Sequence, residues 1–285
     1  MHSGSAAAAV GLYTAMMKRS VLVVLFVLFS ACGAIAQSGP SAPSVDLQKQ
    51  VQDLVKLQRT WGPEMNTPGM SLTLSEEGRV ESNSNSSLMP KVAQSQQFGT
   101  TLTFSLRAVG APKDKTYALV SWPVDLPATA KAPLTLAKGV TLDSHGTADR
   151  GGDQDKPVSL PLRPAPGEPV RVGLISTDDT VKIFTSIVPV PLEGKDHGCH
   201  ISAVILTRNA EVVMFEGSGF QPDADIEVAS VSGKEVRKQA KQADAKGNFM
   251  AVDLPFVEGQ SHGNVKMTLK SDKCSPSVMV GWGKP

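Results

Sequence analysis

The chain has 285 residues, a formal net charge of +1, 41% broadly hydrophobic and 19% charged residues, a globular composition sized for one large or two small domains. Twenty prolines and 25 glycines punctuate it, which suits short strands joined by turns better than long helices. With no basic excess to hold a phosphate backbone, nucleic acid is excluded as an expected partner.

The N-terminal stretch KRSVLVVLFVLFSACGAIAQ runs from Lys18 and Arg19 through an apolar segment, Val21 to Phe29, to Ala34-Ile35-Ala36 before Gln37. Charged, hydrophobic and small residues in that order predict a secretory signal peptide over residues 1–36. The apolar run is well short of the roughly 20 residues of a membrane-spanning helix. No charged residue precedes Met16-Met17, so translation is expected to start at Met16 or Met17. Ser30-Ala31-Cys32 loosely resembles a lipoprotein cleavage site, which would anchor the chain through Cys32, but Phe29 stands where Leu is usual. Soluble export, periplasmic or extracellular, is the preferred expectation. Cleavage after Ala36 leaves 26 basic against 27 acidic residues and two cysteines, Cys199 and Cys274. An even pair in an exported chain predicts a disulfide.

A leader, residues 37–68, follows. Leu47, Val51, Leu54, Val55 and Leu57 recur at three- and four-residue steps, with Ser44 as an N-cap, which predicts one helix over about 44–60. It serves either as a leader packed on the domain or as a self-association element, and the packed, partly exposed helix is the simpler reading. MSLTLSEEGRV reads as a short hairpin about a Glu-Glu-Gly turn. Strand signals then accumulate in TTLTFSLRAV, TYALVSW, PVSLPLR, PVRVGLIS and VKIFTSIVPV. No long helical period separates them, so the expectation is an antiparallel sandwich over 69–193. VPVPLEGKDHG reads as a linker. Beyond it, HISAVILT, EVVMFEG, DIEVASV, GNFMAVDL, NVKMTLK and SVMVGW predict a second sandwich over 194–285. No internal repeat is evident in the residues themselves. A Cys199–Cys274 bond would tie the beginning of this unit's first strand to the beginning of its last, contributing at most about 4–5 kcal/mol by chain entropy.

Gly217-Ser218-Gly219-Phe220-Gln221-Pro222 could be read as a phosphate loop or a nucleophile turn. A phosphate loop needs a following helix, and a nucleophile elbow needs Gly-x-Ser-x-Gly; neither is present. A strand–turn–strand corner accounts for each residue: glycines at a tight turn, Phe220 dropped into the core and Pro222 fixing the turn. The stretch resembles the Gly-x-Gly-Phe-x-Pro signature of IPT/TIG-like and related immunoglobulin-like domains, over about Cys199 to Trp282. That resemblance implies an accessory or binding module, and it carries over no catalytic residue.

Other candidate chemistry is sparse. Asp196, His197, Cys199 and His200 are the densest possible ligand set, but neighbours in sequence do not converge on one ion, and a linker with a disulfide is the better reading. Asp143, Asp149, Asp153 and Asp155 share one loop and are weak calcium candidates without EF-hand spacing. His145 beside them lacks a nucleophile or second carboxylate placed to join it, and His262 reads as a turn residue. Trp122 and Trp282 end strands and are the candidate ligand contacts if the protein stacks sugars, although closing the core suits them better. The fold expected is all-β: two immunoglobulin-like antiparallel sandwiches behind a signal peptide and a short helix. The expected function is non-catalytic binding or structural work in the cell envelope, with no cofactor and a protein partner. The alternatives are a carbohydrate or cell-wall module and a hydrolase using Asp143–Asp155.

Overall fold

The structure, a computed structural model, describes residues 45–62, 64–81, 100–150 and 157–283. The expected signal peptide and Ser44 cap, Cys32, Asp153 and Asp155 lie outside the described residues. Among the described residues one α-helix, α1 (Val45–Thr60), precedes sixteen strands, and the fold is all-β, with every sheet antiparallel.

The first sandwich begins with β1 (Ser71–Glu81) and β2 (Thr100–Val109), followed by β3 (Tyr117–Ser121), β4 (Leu134–Leu142), β5 (Ala148–Asp149), β6 (Leu160–Leu162), β7 (Val170–Ser176) and β8 (Lys182–Ile187). A β1-β2-β6 sheet faces a β5-β4-β3-β7-β8 sheet. Inward residues alternate along β2, where Leu102, Phe104 and Leu106 are at most 2% exposed, as a strand with one wet face requires. The hairpin expected at Glu76-Glu77-Gly78 is absent. That stretch is one strand whose register against β2 shifts between Glu76 and Gly78, so the turn-like residues make a bulge. Tyr117 is fully buried, and its hydroxyl donates to the Pro112 carbonyl at 2.6 Å.

The second sandwich comprises β9 (Leu192–Asp196), β10 (Cys199–Ile205), β11 (Val213–Ser218), β12 (Asp225–Ser232), β13 (Glu235–Gln242), β14 (Phe249–Asp253), β15 (His262–Lys270) and β16 (Ser277–Gly283). The expected linker is therefore partly a strand, because Leu192–Asp196 pairs with β10 from Cys199↔Asp196 to Ala203↔Leu192. A β14-β11-β10-β9 sheet faces a β13-β12-β15-β16 sheet.

The two sandwiches share one topology. β1-β2-β6 against β4-β3-β7-β8 has the connectivity of β10-β11-β14 against β13-β12-β15-β16. This is the A-B-E against C′-C-F-G order of immunoglobulin-like sandwiches. β5 extends one unit and β9 the other. The repetition that side chains conceal is plain in the strand order.

Each sandwich has its own core, and α1 lies against both. Val51, Leu54 and Val55 pack on Val204, Leu206, Val212 and Met214, on the outer face of β10 and β11. One turn later, Leu57 and Trp61 pack on Val120, Trp122 and Phe184, on the outer face of the first sandwich. The Trp61 indole N–H lies 3.0 Å from the Thr185 carbonyl and 3.3 Å from that of Val172. Its ring meets Trp122 edge-on, with centroids 5.7 Å apart. The leader thus packs across both units.

Candidate functional site

The Gly217–Pro222 corner connects β11 to β12, crossing from one sheet to the other. Gly217 has no room for a Cβ, which would come within 2.7 Å of Leu269 and 2.8 Å of Phe220. Gly219 takes φ +80, and a Cβ there would lie 2.3 Å from the Gly198 carbonyl oxygen. Phe220 is 5% exposed and belongs to the second core. After Pro222 the chain turns through Asp223 at φ 57, with the Ala224 N–H donating to Gln221 O at 3.2 Å. The glycines and the phenylalanine of the motif are used by the corner.

Cys199 and Cys274 are bonded, with Cα atoms 6.1 Å apart. Because β9 precedes β10, the bridge starts at the second strand of its unit, not the first, and reaches the loop ahead of β16. Asp196 reinforces the same junction. Its carboxylate accepts the Ser275 N–H at 2.6 Å and approaches His197 Nδ1 at 2.6 Å. The Ser275 N–H is the main reason that this carboxyl sits below its ordinary value. His200 Nε2 lies 3.2 Å from Glu193. The Asp196–His200 stretch thus stitches the β9–β10 hairpin, and among the described residues no group of three His, Cys, Asp or Glu is arranged to hold a metal.

Asp143 organises its own turn. Its carboxylate accepts the backbone N–H of His145 at 2.7 Å and of Thr147 at 2.8 Å. These bonds, Thr147's first, hold it below the usual carboxylate range. Asp149 ends β5, paired with Thr141. His145 is exposed and touches Ser144; His262 opens β15 and touches Ser261.

The two candidate stacking residues are interior. Trp122 is 7% and Trp282 5% exposed. Trp122 donates to Leu126 O at 3.3 Å, and Trp282 donates to Ser232 Oγ at 3.0 Å. A sugar ring stacks on a free aromatic face, and neither indole offers one. Both close the ends of packed layers.

What the structure brings together instead is a groove between the sandwiches. Two adjoining clefts share Val124, Asp125, Thr207 and Arg208. One is completed by Glu168, Ala210, Gly281 and Gly283. The other is completed by Gln50, Asp53 and Leu54 of α1, the 126–129 loop and Glu211. Its rim carries the carboxylates Asp53, Asp125, Glu168 and Glu211 and the guanidinium of Arg208. At its centre is the β10–β11 turn, where Asn209 and Ala210 adopt φ 59 and 53. Left-handed backbone at a non-glycine pair costs about 1–2 kcal/mol per residue and persists only where the surroundings enforce it. Here Thr207 Oγ1 accepts the Val212 N–H at 2.8 Å, and Ala210 is 2% exposed against the second core. The groove went unread in the sequence because its walls come from five separated segments; Asn209, tolerant of the left-handed region, was the one local sign.

No protein-family profile matches the chain, and no curated protein matches it. Matching solved structures include a DUF3823 family protein from Bacteroides ovatus ATCC 8483, 10% identical, with 62% of this chain and 90% of that chain covered and a TM-score of 0.18. A likeness that slight carries neither a topology nor a role. Among the described residues no helix is long and apolar enough to cross a membrane.

Proposed function

We infer that this is an exported, non-catalytic binding protein of the cell envelope that engages a protein partner through the groove between its two sandwiches. The observation that carries this reading is the groove's lining. It is open and edged by four carboxylates and Arg208, and no aromatic residue is among those that line it. Concavities at domain junctions are the usual place for recognition. Polar rims without stacking platforms suit a polypeptide better than a polysaccharide. The IPT/TIG-like corner agrees with an accessory module, and the signal-like N-terminus and the disulfide agree with export.

The test is a pull-down with residues 37–285 against fractionated envelope, polysaccharide and membrane-protein fractions kept apart. The expected outcome is one retained protein, lost on the paired change Asp125→Lys and Arg208→Glu, whose thermal melt matches the parent. Retention on polysaccharide, unaffected by those changes, would replace this reading with a carbohydrate module.

A further inference from the structure

Independently of the groove, the second sandwich presents a sheet edge built to receive another strand. β13 ends the β13-β12-β15-β16 sheet. It pairs with β12 without a register break, from Asp225↔Gln242 to Ser232↔Glu235, which gives a straight edge about 27 Å long at 3.4 Å per residue. Several other edges are blunted. β1 carries a register shift. β5 and β6 have two and three residues, and β9 lies against β16. Bulges, brevity and closure are the ordinary protections of an edge, and β13 has none of them.

The direction of its free backbone groups follows from the turn. Ser232-Gly233-Lys234-Glu235 is a two-residue hairpin loop with Gly233 at φ 56 in the first central position, the type II′ arrangement. Its closing pair, Ser232 and Glu235, is hydrogen-bonded, and such pairs alternate along an antiparallel ladder. Arg237, Gln239 and Lys241 therefore bond back to β12. Val236, Lys238 and Ala240 point their N–H and C=O groups outward, where no strand among the described residues pairs with them.

What guards this edge is charge. Residues 234–246 hold five Lys and Arg against two Asp and Glu. Arg237 is occupied by Glu235 at 2.7 Å and Asp253 at 3.4 Å. Lys238 meets Glu227 at 3.1 Å in an exposed pair, which is worth little. A second copy of β13 would bring its own cations against these, so self-pairing is opposed, whereas an acidic strand is attracted. Val236, 59% exposed, shares the outer face with Val231 and supplies an apolar contact for an incoming side chain. We propose that β13 binds an acidic, extended protein segment by strand addition, with backbone bonds giving affinity and the lysine-rich flank giving selectivity.

The probe is an end-blocked eight-residue peptide alternating glutamate and valine, with its lysine counterpart as control, titrated calorimetrically into residues 37–285 at low salt. The glutamate peptide is expected to bind, to weaken as salt rises and to slow hydrogen exchange at Val236, Lys238 and Ala240. Ala240→Pro removes an outward N–H and no ladder bond, a change edge strands tolerate, and it is expected to abolish binding. Lys238→Glu, which leaves the backbone untouched, is expected to weaken binding by about tenfold. No binding by the glutamate peptide, equal binding by the lysine peptide, or indifference to Lys238→Glu would overturn the proposal. The groove changes Asp125→Lys and Arg208→Glu are expected to leave this titration unaltered, so failure at one site is distinguishable from failure at the other.

Discussion

Arg171 is the most exacting side chain in the molecule. It stands on the outer face of β7 beneath α1, 1% exposed, with Nε donating to Gln58 Oε1 at 2.9 Å and Nη1 to Trp122 O at 3.4 Å. Nη2 has no hydrogen-bond partner, and no carboxylate forms an ion pair with it among the described residues. Burial pulls the guanidinium well below its ordinary value, to about 10, with Glu168 pulling the other way. A depression of that size corresponds to about 3 kcal/mol disfavouring the buried charge. The sign is that of a cost, present below about pH 10 and relieved only as pH climbs above it towards the ordinary guanidinium value. An apolar replacement of similar length removes the charge while keeping the contacts of the stem, and such replacements are neutral or stabilising. Arg171→Met is accordingly expected to hold or raise the urea midpoint, by about 0–3 kcal/mol in unfolding free energy. A loss of several kcal/mol on equilibrium denaturation would mean that the guanidinium is better compensated than its contacts indicate.

Among the elements, the turns are held by aspartates and the strands by alternation, and the two respond to different conditions. In the β7–β8 hairpin, Asp178 accepts from Lys115 Nζ, from Ser176 Oγ at 2.6 Å and from Thr180 Oγ1 at 2.8 Å. The lysine bond leads, and together they hold the carboxyl far below its ordinary value of 3.8. Asp143, Asp196 and Asp244 are lowered in the same direction, each chiefly by a backbone N–H. A carboxyl depressed in the fold contributes stability above its unfolded value and loses it as pH falls below. Asp178→Asn is therefore expected to melt lower than the parent at pH 6. The difference should shrink steadily below about pH 4, followed by calorimetry across pH 6 to 2. A constant difference would mean that the charge plays no part. The same contrast between turns and strands explains what could be read beforehand. The Gly217–Pro222 corner was legible because its chemistry is local, down to Phe220 entering the core. β2, β12 and β15 were legible through alternation. β13 escaped because EVRKQAKQ has no buried residue on either face, so no hydrophobic period marks it. β9 escaped because prolines and glycines around Leu192–Asp196 look like a linker until β10 is there to pair with them.

At the scale of the molecule, two units of one topology are joined by a helix that belongs to neither and by a direct bond, the Ile205 N–H donating to the Gly167 carbonyl at 2.8 Å. α1 buries Val51, Leu54 and Val55 against the second sandwich. Within the next turn and a half it commits Leu57 and Trp61 to the first. Three apolar side chains buried on one side and an indole on the other are worth several kcal/mol together, at about 1.5–3 kcal/mol for each fully buried residue. Gln50, Asp53 and Leu54 of the same helix also wall the groove, so α1 both joins the sandwiches and completes the site proposed for a partner. The composition of the helix was legible, but its role was not, because Leu47, Val51 and Leu54 have the same spacing whether they cover one surface or bridge two. Val55→Asp places a charge at a position only 1% exposed, facing Val204 and Met214. It should detach the helix from the second sandwich without entering either core. Differential scanning calorimetry is expected to resolve one transition in the parent and two in the variant, and small-angle scattering should show a larger radius of gyration. Partner retention in the envelope pull-down should fall together with the coupling. A single, merely lowered transition with an unchanged radius would show that the sandwiches hold each other directly, and α1 would then serve the groove alone.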